Sequence, residues 1–404
     1  SMYKASSNGL LKSETVLGGG KTRTYWKHRY PIVSYLVCLA VTNYSVFSVN
    51  VQLGNKYLPI QTFAYPESLT AFQQGTQNTL FAMALFHQKF GDYPFINEKY
   101  GHTQFGWGGG MEHQTNSFMI NLSEGLVAHE LAHQWFGDFV TAKESKHHWL
   151  QEGFATYYAL LAEKELFGED YFNYELSQMA EQLKEAAAHD KNPILSEKAS
   201  SLTFYKKGAW ALHVLRTNIG ERKFRKAVKC YLKKYAYKNV DTDEFLAEIK
   251  KVSKYDVDKF KKEWLESADF RWNEAISILN KNAFIVDLQK VRELENISFD
   301  DKKGELLNYM NKGAYFPLQQ EVLMQTKLVS IEDKQEIIDV AFKSTNLKVR
   351  QTLAQSFIKI PESYKLKFEA LLQDDSYITK EIALFRLLYF YYCKKPIFFI
   401  IQLF

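Results

Sequence analysis

Residues 127–152 read VAHELAHQWFGDFVTAKESKHHWLQE. His129 and His133 stand four apart, Glu130 lies beside the first, and Glu152 follows His133 with 18 residues between them. Side chains at i and i+4 share one face of a helix, about one turn apart. Two imidazoles so placed reach a single zinc ion at roughly 2.0–2.1 Å. Glu130 is placed to act on a water without being a ligand itself. Glu152, on the next expected helix, is the third ligand this spacing predicts. Three protein ligands leave one coordination position open, which separates a catalytic zinc from a structural one.

A bare HExxH also arises by chance, as two polar residues on the half-exposed face of an ordinary helix. The flanking sequence narrows that reading. Ser123 is a favoured N-cap residue and predicts the helix start. Gly137 is a favoured C′ residue and predicts its end. Leu126, Leu131, Trp135 and Phe136 give the helix an apolar face. The run WLQEGFA at 149–155 then puts an acid into a second buried segment.

With those residues in view, HELAHQWFGD (129–138) and WLQEGFATYY (149–158) resemble the gluzincin aminopeptidases, the family of aminopeptidase N and leukotriene hydrolase. Gly109, Gly110, Met111, Glu112 and His113 resemble that family's GxMEN exopeptidase motif. Tyr205-Lys206-Lys207-Gly208-Ala209 resembles its YxKGA motif. Four motifs in one order over about a hundred residues are a specific match, and the likeness runs from about Tyr25 to Trp272.

The resemblance implies one zinc ion per chain, held by His129, His133 and Glu152. Zinc lowers the pKa of a water and polarises a scissile carbonyl. Glu130 would take that water's proton and pass it to the leaving amine. The Tyr205 hydroxyl would donate to the developing oxyanion. Glu112 would pair with the cationic N-terminus of a peptide. Gly108, Gly109 and Gly110, without side chains, would let a substrate backbone approach. The implied activity is removal of single residues from short peptides with a free N-terminus.

Three departures accompany the match. His113 stands where the family motif has Asn, adding a titratable ring beside the amine site. The position seven residues after Glu152, acidic in many members, is Ala159, so a partner orienting His129 or His133 must come from elsewhere. Asp138 is the candidate by proximity in sequence. His147 and His148 precede Glu152 closely but read as loop residues. The largest departure is length: only the tail of the family's N-terminal β domain is expected. Ser1-Met2 resembles a cloning scar, so the chain reads as N-terminally shortened.

The chain of 404 residues suggests two or three domains. Hydrophobic residues make up 46% and charged residues 24%, the balance of a globular protein. Net charge is +5, dispersed over many lysines, which argues against a nucleic-acid surface. The Lys-rich stretches near 222–262 alternate with apolar residues at helical spacing and read as solvated faces. Cys38, Cys230 and Cys393 are too few and too scattered for a disulfide framework or a thiolate zinc site. No 18-residue apolar run predicts a membrane span, since the C-terminal stretch is interrupted by Lys394-Lys395-Pro396. Its last eight residues, IFFIIQLF, must be buried or promote aggregation. No signal peptide opens the chain as given; cytoplasmic and periplasmic or secreted placement both stay open, as does oligomeric state.

The expected class is α+β. Residues 1–24 are Gly, Ser and Lys-rich and read as irregular. Residues 1–62 resemble the remnant of a β domain, with dense β-branched and aromatic residues from Tyr25 to Gln61. Residues 63–268 resemble a thermolysin-like, mostly helical catalytic domain with a small sheet. Residues 269–404 read as a truncated helical, α-solenoid-like lobe that would restrict entry to the zinc cleft. There Ser330 predicts a helix start, and Pro361 the end of one helix before another. Two other functions stay on the table: a catalytically weak or inactive member serving as a peptide-binding or scaffold protein, and a zinc hydrolase of non-peptide substrates such as an epoxide.

Overall fold

Three consecutive glycines, Gly18 to Gly20, turn the chain back on itself near its start. Gly19 and Gly20 adopt φ of 71° and 70°, and the Leu17 N–H donates to Lys21 O at 2.8 Å. Glycine enters that left-handed region without the Cβ penalty other residues meet. The turn joins β2 (Leu10–Val16) to β3 (Thr22–Lys27), which pair antiparallel. β1 (Lys4–Ser7) pairs antiparallel with β4 (Leu39–Thr42). The expectation that residues 1–24 are irregular is therefore corrected. Most of β2 is exposed on both faces, so the alternation that betrays a half-buried strand is missing from it.

The computed structural model describes residues 2–313 and 315–392. Cys393 and the apolar run 397–404 lie outside the described residues. The chain separates into two compact units, one up to Ile276 and one from Ser277 onward.

In the first unit β5 (Ser45–Leu53) and β6 (Lys56–Ala64) form an antiparallel pair. The chain then crosses through α1 (Leu69–Phe90) to β7 (Tyr100–Gln104), which runs parallel to β6. β8 (Gly110–Met111) and β9 (Ser117–Met119) complete a five-stranded sheet in the order β5-β6-β7-β9-β8. β8 is thus an edge strand. Beyond the sheet come α2 (Glu124–Ala132), β10 (Val140–Ala142), α3 (Trp149–Phe167) and α4 (Glu169–Ala186). A π-helical turn, Thr203–Lys207, leads into α5 (Gly208–Ile219). α6 (Glu221–Lys234), β11 (Lys238–Val240), α7 (Thr242–Val252), α8 (Val257–Phe260) and a second π-helical turn, Lys261–Leu265, follow. β10 and β11 pair in parallel. α9 (Trp272–Leu279) carries the boundary between the units.

The helix carrying both histidines starts as expected but ends early. Ser123 has extended backbone angles at the N-cap, yet its side chain makes no capping bond. α2 closes at Ala132 rather than near Gly137, because the chain tightens there: Gln134 N–H donates to Leu131 O and Trp135 N–H to Ala132 O. This tightening turns Trp135 and Phe136 into an aromatic cluster with Phe86 and Phe90 of α1 and Phe154 and Tyr158 of α3. Phe136 stacks on Phe154 at 4.3 Å, and Phe90 meets Tyr158 edge-on at 4.4 Å. All six are buried. Truncating one such ring to Ala costs about 3–5 kcal/mol.

The second unit is helical among its described residues: α10 (Ala283–Glu293), α11 (Phe299–Asn311), α12 (Phe316–Gln325), α13 (Gln335–Phe342), α14 (Leu347–Ser356), α15 (Lys365–Ala370) and α16 (Tyr377–Leu387). α10 packs on α12, α12 on α14, and α14 on α16. The Ser330 hydroxyl accepts from Asp333 N–H at 3.1 Å, although the helix there runs only from Gln335. The helix expected to end at Pro361 ends earlier, at Ser356. No described helix is long and apolar enough to cross a membrane.

Candidate functional site

α2 presents His129 and His133 on one face, and the first turn of α3 presents Glu152 toward them. The two Nε2 atoms lie 3.1 Å apart, and Glu152 Oε2 is 3.4 Å from one and 3.2 Å from the other. Ligands placed tetrahedrally at about 2.0–2.1 Å around one ion would lie roughly 3.3 Å from each other. The donor chemistry agrees with that spacing. His133 Nδ1 lies 3.0 Å from Phe136 O, and a carbonyl only accepts, so Nδ1 carries the hydrogen. The Nε2 lone pair is then directed at the other two ligand atoms. Glu152 Oε2 is buried and takes no hydrogen bond. A buried carboxylate oxygen without a hydrogen-bond donor, facing an imidazole lone pair with a second imidazole nitrogen beside it, fits a cation, and this set fits zinc.

The partner that orients His133 is therefore the Phe136 carbonyl, supplied by the tightened turn after α2. Asp138, the candidate from sequence, does not fill that role: both its carboxylate oxygens are buried without a partner. Burial foremost, then the Glu112 carboxylate, pushes the Asp138 carboxyl well up from its ordinary value. His147 and His148 stand apart from the cluster, His147 against Thr242 at 3.0 Å and His148 against the Phe204 ring.

Glu130 is buried beside this cluster. Burial raises its carboxyl to about 8; His133 opposes that rise, and Glu112 and Glu152 add to it. A carboxyl tuned to near neutrality is suited to take and return a proton. Its seat explains Gly110: a Cβ at that position would meet Glu130 Oε1 at 2.5 Å. A side chain at Gly110 would thus displace the Glu130 carboxylate, a reason for glycine separate from the approach of a substrate. Glu112 comes within metal-cluster distance of Glu130 and His133 and is buried. Met111 and Gly110 pair with Phe118 and Met119, so Gly109, Gly110 and Met111 line the sheet edge next to the cluster.

Tyr205 reaches the same place from the π-helical turn. Its ring stacks on His129 at 5.6 Å with an interplanar angle of 6°. Burial, then Glu152, pushes its phenol up, so it keeps its proton and can donate. Single π-helical turns recur at functional sites because the extra residue re-aims a side chain. This one is pinned at both ends. Thr203 Oγ1 donates to Asp190 Oδ2 at 2.9 Å, and the buried Lys207 ammonium donates to Ser267 O at 2.7 Å and Ala268 O at 2.9 Å. Burial pulls Lys207 down to about 8. A glycine pair brings the turn close to Glu152: a Cβ on Gly153 would lie 3.0 Å from the Gly208 backbone.

The surroundings of Glu112 hold residues that sequence reasoning missed. Gln134 Oε1 accepts from Thr115 N–H at 2.8 Å, and its Nε2 donates to Glu112 O at 3.3 Å. Thr115 has φ of 66°, a left-handed conformation that costs a non-glycine residue about 1–2 kcal/mol. Lys99 Nζ donates to Thr115 O at 3.0 Å and helps hold it there. Tyr35, far back in the sequence, donates to Glu112 Oε1 at 3.2 Å. The neighbours of Gln134 and Tyr35 in sequence gave no sign of this.

Comparison with known proteins agrees with the geometry. Residues 112–264 match the peptidase family M1 domain. The chain is 30% identical over 240 residues to probable aminopeptidase 1 of Sulfurisphaera tokodaii, covering 56% of this chain and 29% of that protein. It is 26% identical over 314 residues to glutamyl aminopeptidase of Sus scrofa, covering 70% of this chain and 33% of that protein. The chain thus spans a third or less of these curated relatives. Among solved structures, an M1 zinc metallopeptidase from Deinococcus radiodurans aligns with a TM-score of 0.59 at 26% identity, over 67% of this chain and 62% of that one. A two-domain M1 zinc metallopeptidase bound to L-arginine aligns with a TM-score of 0.57 at 26% identity, over 66% and 61%. The family match, these relatives and the convergent His-His-Glu cluster lead to one conclusion: residues 112–264 are similar to the peptidase family M1 domain, and the chain resembles zinc metallo-aminopeptidases of that family over part of their length.

Proposed function

We propose that this chain is a zinc-dependent aminopeptidase that hydrolyses the N-terminal peptide bond of short peptides. The observation that carries the reading is a buried carboxylate, Glu112, one short step from the His129, His133 and Glu152 cluster. A cationic N-terminus held there would leave the first peptide bond over the metal-binding face. His129, His133 and Glu152 would hold the zinc, which when bound supplies a Lewis acid and a water of lowered pKa.

Each remaining role falls to a named side chain. Glu112 accepts the substrate ammonium in a charge-assisted pair. The open edge of β8 at Gly109, Gly110 and Met111 accepts the substrate backbone as an added strand. Glu130 takes the proton of the attacking water and returns it to the leaving amine. The Tyr205 hydroxyl donates to the oxyanion that develops on the carbonyl. In architecture, the reading corresponds to a thermolysin-like catalytic region preceded by a β-rich segment at residues 1–62 and followed by an α-solenoid-like helical lobe.

Hydrolysis of a panel of aminoacyl fluorogenic amides, with and without a zinc chelator, tests the proposal. Turnover that chelator removes and added zinc restores supports it. A folded, zinc-loaded chain without turnover would contradict it and favour a binding role.

A further inference from the structure

Tyr35 lies in a short 3-10 turn, Ser34–Leu36, between β3 and β4, outside every motif of the site. The residue is 42% exposed, while its hydroxyl reaches inward to Glu112. The hydrogen bonds around its hydroxyl have only one consistent direction. Ala142 N–H can only donate, and it lies 2.8 Å from Gln151 Oε1, which fixes the amide orientation of Gln151. Gln151 Nε2 must then donate, and its acceptor is the Tyr35 hydroxyl at 2.9 Å. That hydroxyl has one hydrogen, and Glu112 Oε1 at 3.2 Å is the acceptor facing it.

The turn itself is anchored on the same strand. His113 Nδ1 donates to Leu36 O at 3.2 Å, the direction again set by the carbonyl. Asn8 Nδ2 donates to Leu36 O at 3.0 Å and to Gln114 O at 2.7 Å, and Asn8 Oδ1 accepts from Cys38 N–H at 2.8 Å. Leu36 is fully buried. Residues just after Tyr35 and just after Glu112 are thus tied together. His113, where the family motif carries Asn, is one of these ties.

We propose that Tyr35 is a positioning residue of the amine subsite: its hydroxyl, oriented by Gln151, commits Glu112 Oε1 and so aims Oε2 at the free N-terminal ammonium of a peptide. This rests on the reading of Glu112 as the amine acceptor. The relay also ties that acceptor to the segment bearing Glu152, because Gln151 is its immediate neighbour. Amine capture and metal placement then share one hydrogen-bonded chain running Ala142, Gln151, Tyr35, Glu112.

Tyr35→Phe keeps the ring and removes the single hydrogen bond. With an alanyl fluorogenic amide, loss of a bond to a charged group should raise KM about ten- to hundredfold. Turnover number should stay within about threefold, and the melting temperature close to that of the unaltered chain. The inhibition constant of alanine amide should weaken by the same factor as KM, while that of N-acetylalanine amide should not move. Glu112→Gln separates the two layers of the argument. If it abolishes the preference for the free amine while Tyr35→Phe leaves KM unchanged, the role of Tyr35 is overturned and that of Glu112 stands. If Glu112→Gln leaves the preference intact, or the unaltered chain shows none, both fall. An equal loss for free and acetylated ligands in Tyr35→Phe would mark a merely structural role and overturn the proposal.

Discussion

The two sides of the site are held by different physics. On the metal side, His129, His133 and Glu152 ride on α2 and α3, clamped by buried rings of Phe90, Trp135, Phe136, Phe154 and Tyr158. On the Glu112 side, the strand is held by polar contacts from Tyr35, Gln134 and, through Thr115, Lys99. Apolar packing tolerates small adjustments, because it is summed over many weak contacts. A buried polar network is less forgiving, since each lost partner strands another group. Gln134, which follows His133 directly, is where the two meet.

The comparison breaks most visibly at the reacting centre. Glu130→Gln should lower kcat by about 10²–10⁴-fold while a peptide still binds, read by steady-state kinetics beside ligand calorimetry. Full activity in that variant would remove Glu130 from the chemistry. Tyr205→Phe should lower kcat about 10²–10³-fold with KM little changed, the pattern of a donor used only as charge develops. A matching rise in KM would instead place Tyr205 in ground-state binding.

Packing on the metal side can be probed without touching a ligand. Gly208→Ala inserts a methyl against the Gly153 backbone, 3.0 Å away in the mirror-image contact. Overpacking there should destabilise by about 1–3 kcal/mol, with kcat falling as the Tyr205 turn is displaced from Glu152. A thermal melt and kinetics on the same sample suffice; unchanged values in both would show that the helices are not in close register.

An effect on stability alone sharpens the contrast from the sheet. His102 on β7 is fully buried between Thr62 and Thr79, each 3.0 Å away. Burial pulls its imidazole down to about 3. The unfolded chain binds this proton more readily than the folded one. Its contribution to stability is therefore whole above about pH 6.5 and lost as pH falls toward 3, by up to about 1.4 kcal/mol per unit. Denaturant melts at pH 7, 6 and 5 should show that slope, and His102→Gln should flatten it.

The same division explains what the sequence made legible. His129, Glu130 and His133 are set by helical spacing, Glu152 follows within 24 residues of His129, and α1 and α4 show apolar positions at helical intervals. Tyr35 and Glu112 stand 77 residues apart, and Tyr35 and Gln151 stand 116 apart, so no local pattern encodes their meeting. The Phe136 carbonyl that orients His133 is backbone, invisible to side-chain reasoning. It exists because α2 stops a turn earlier than Gly137 suggested. The hairpin of β2 and β3 escaped notice because an exposed two-stranded ribbon leaves polar residues on both faces.

The most direct measurement is product analysis on one tripeptide, free and N-acetylated, after incubation with the zinc-loaded chain. The account predicts release of the first residue alone from the free peptide, with the acetylated one left intact. Equal cleavage of both, or cleavage at the internal bond, would contradict it.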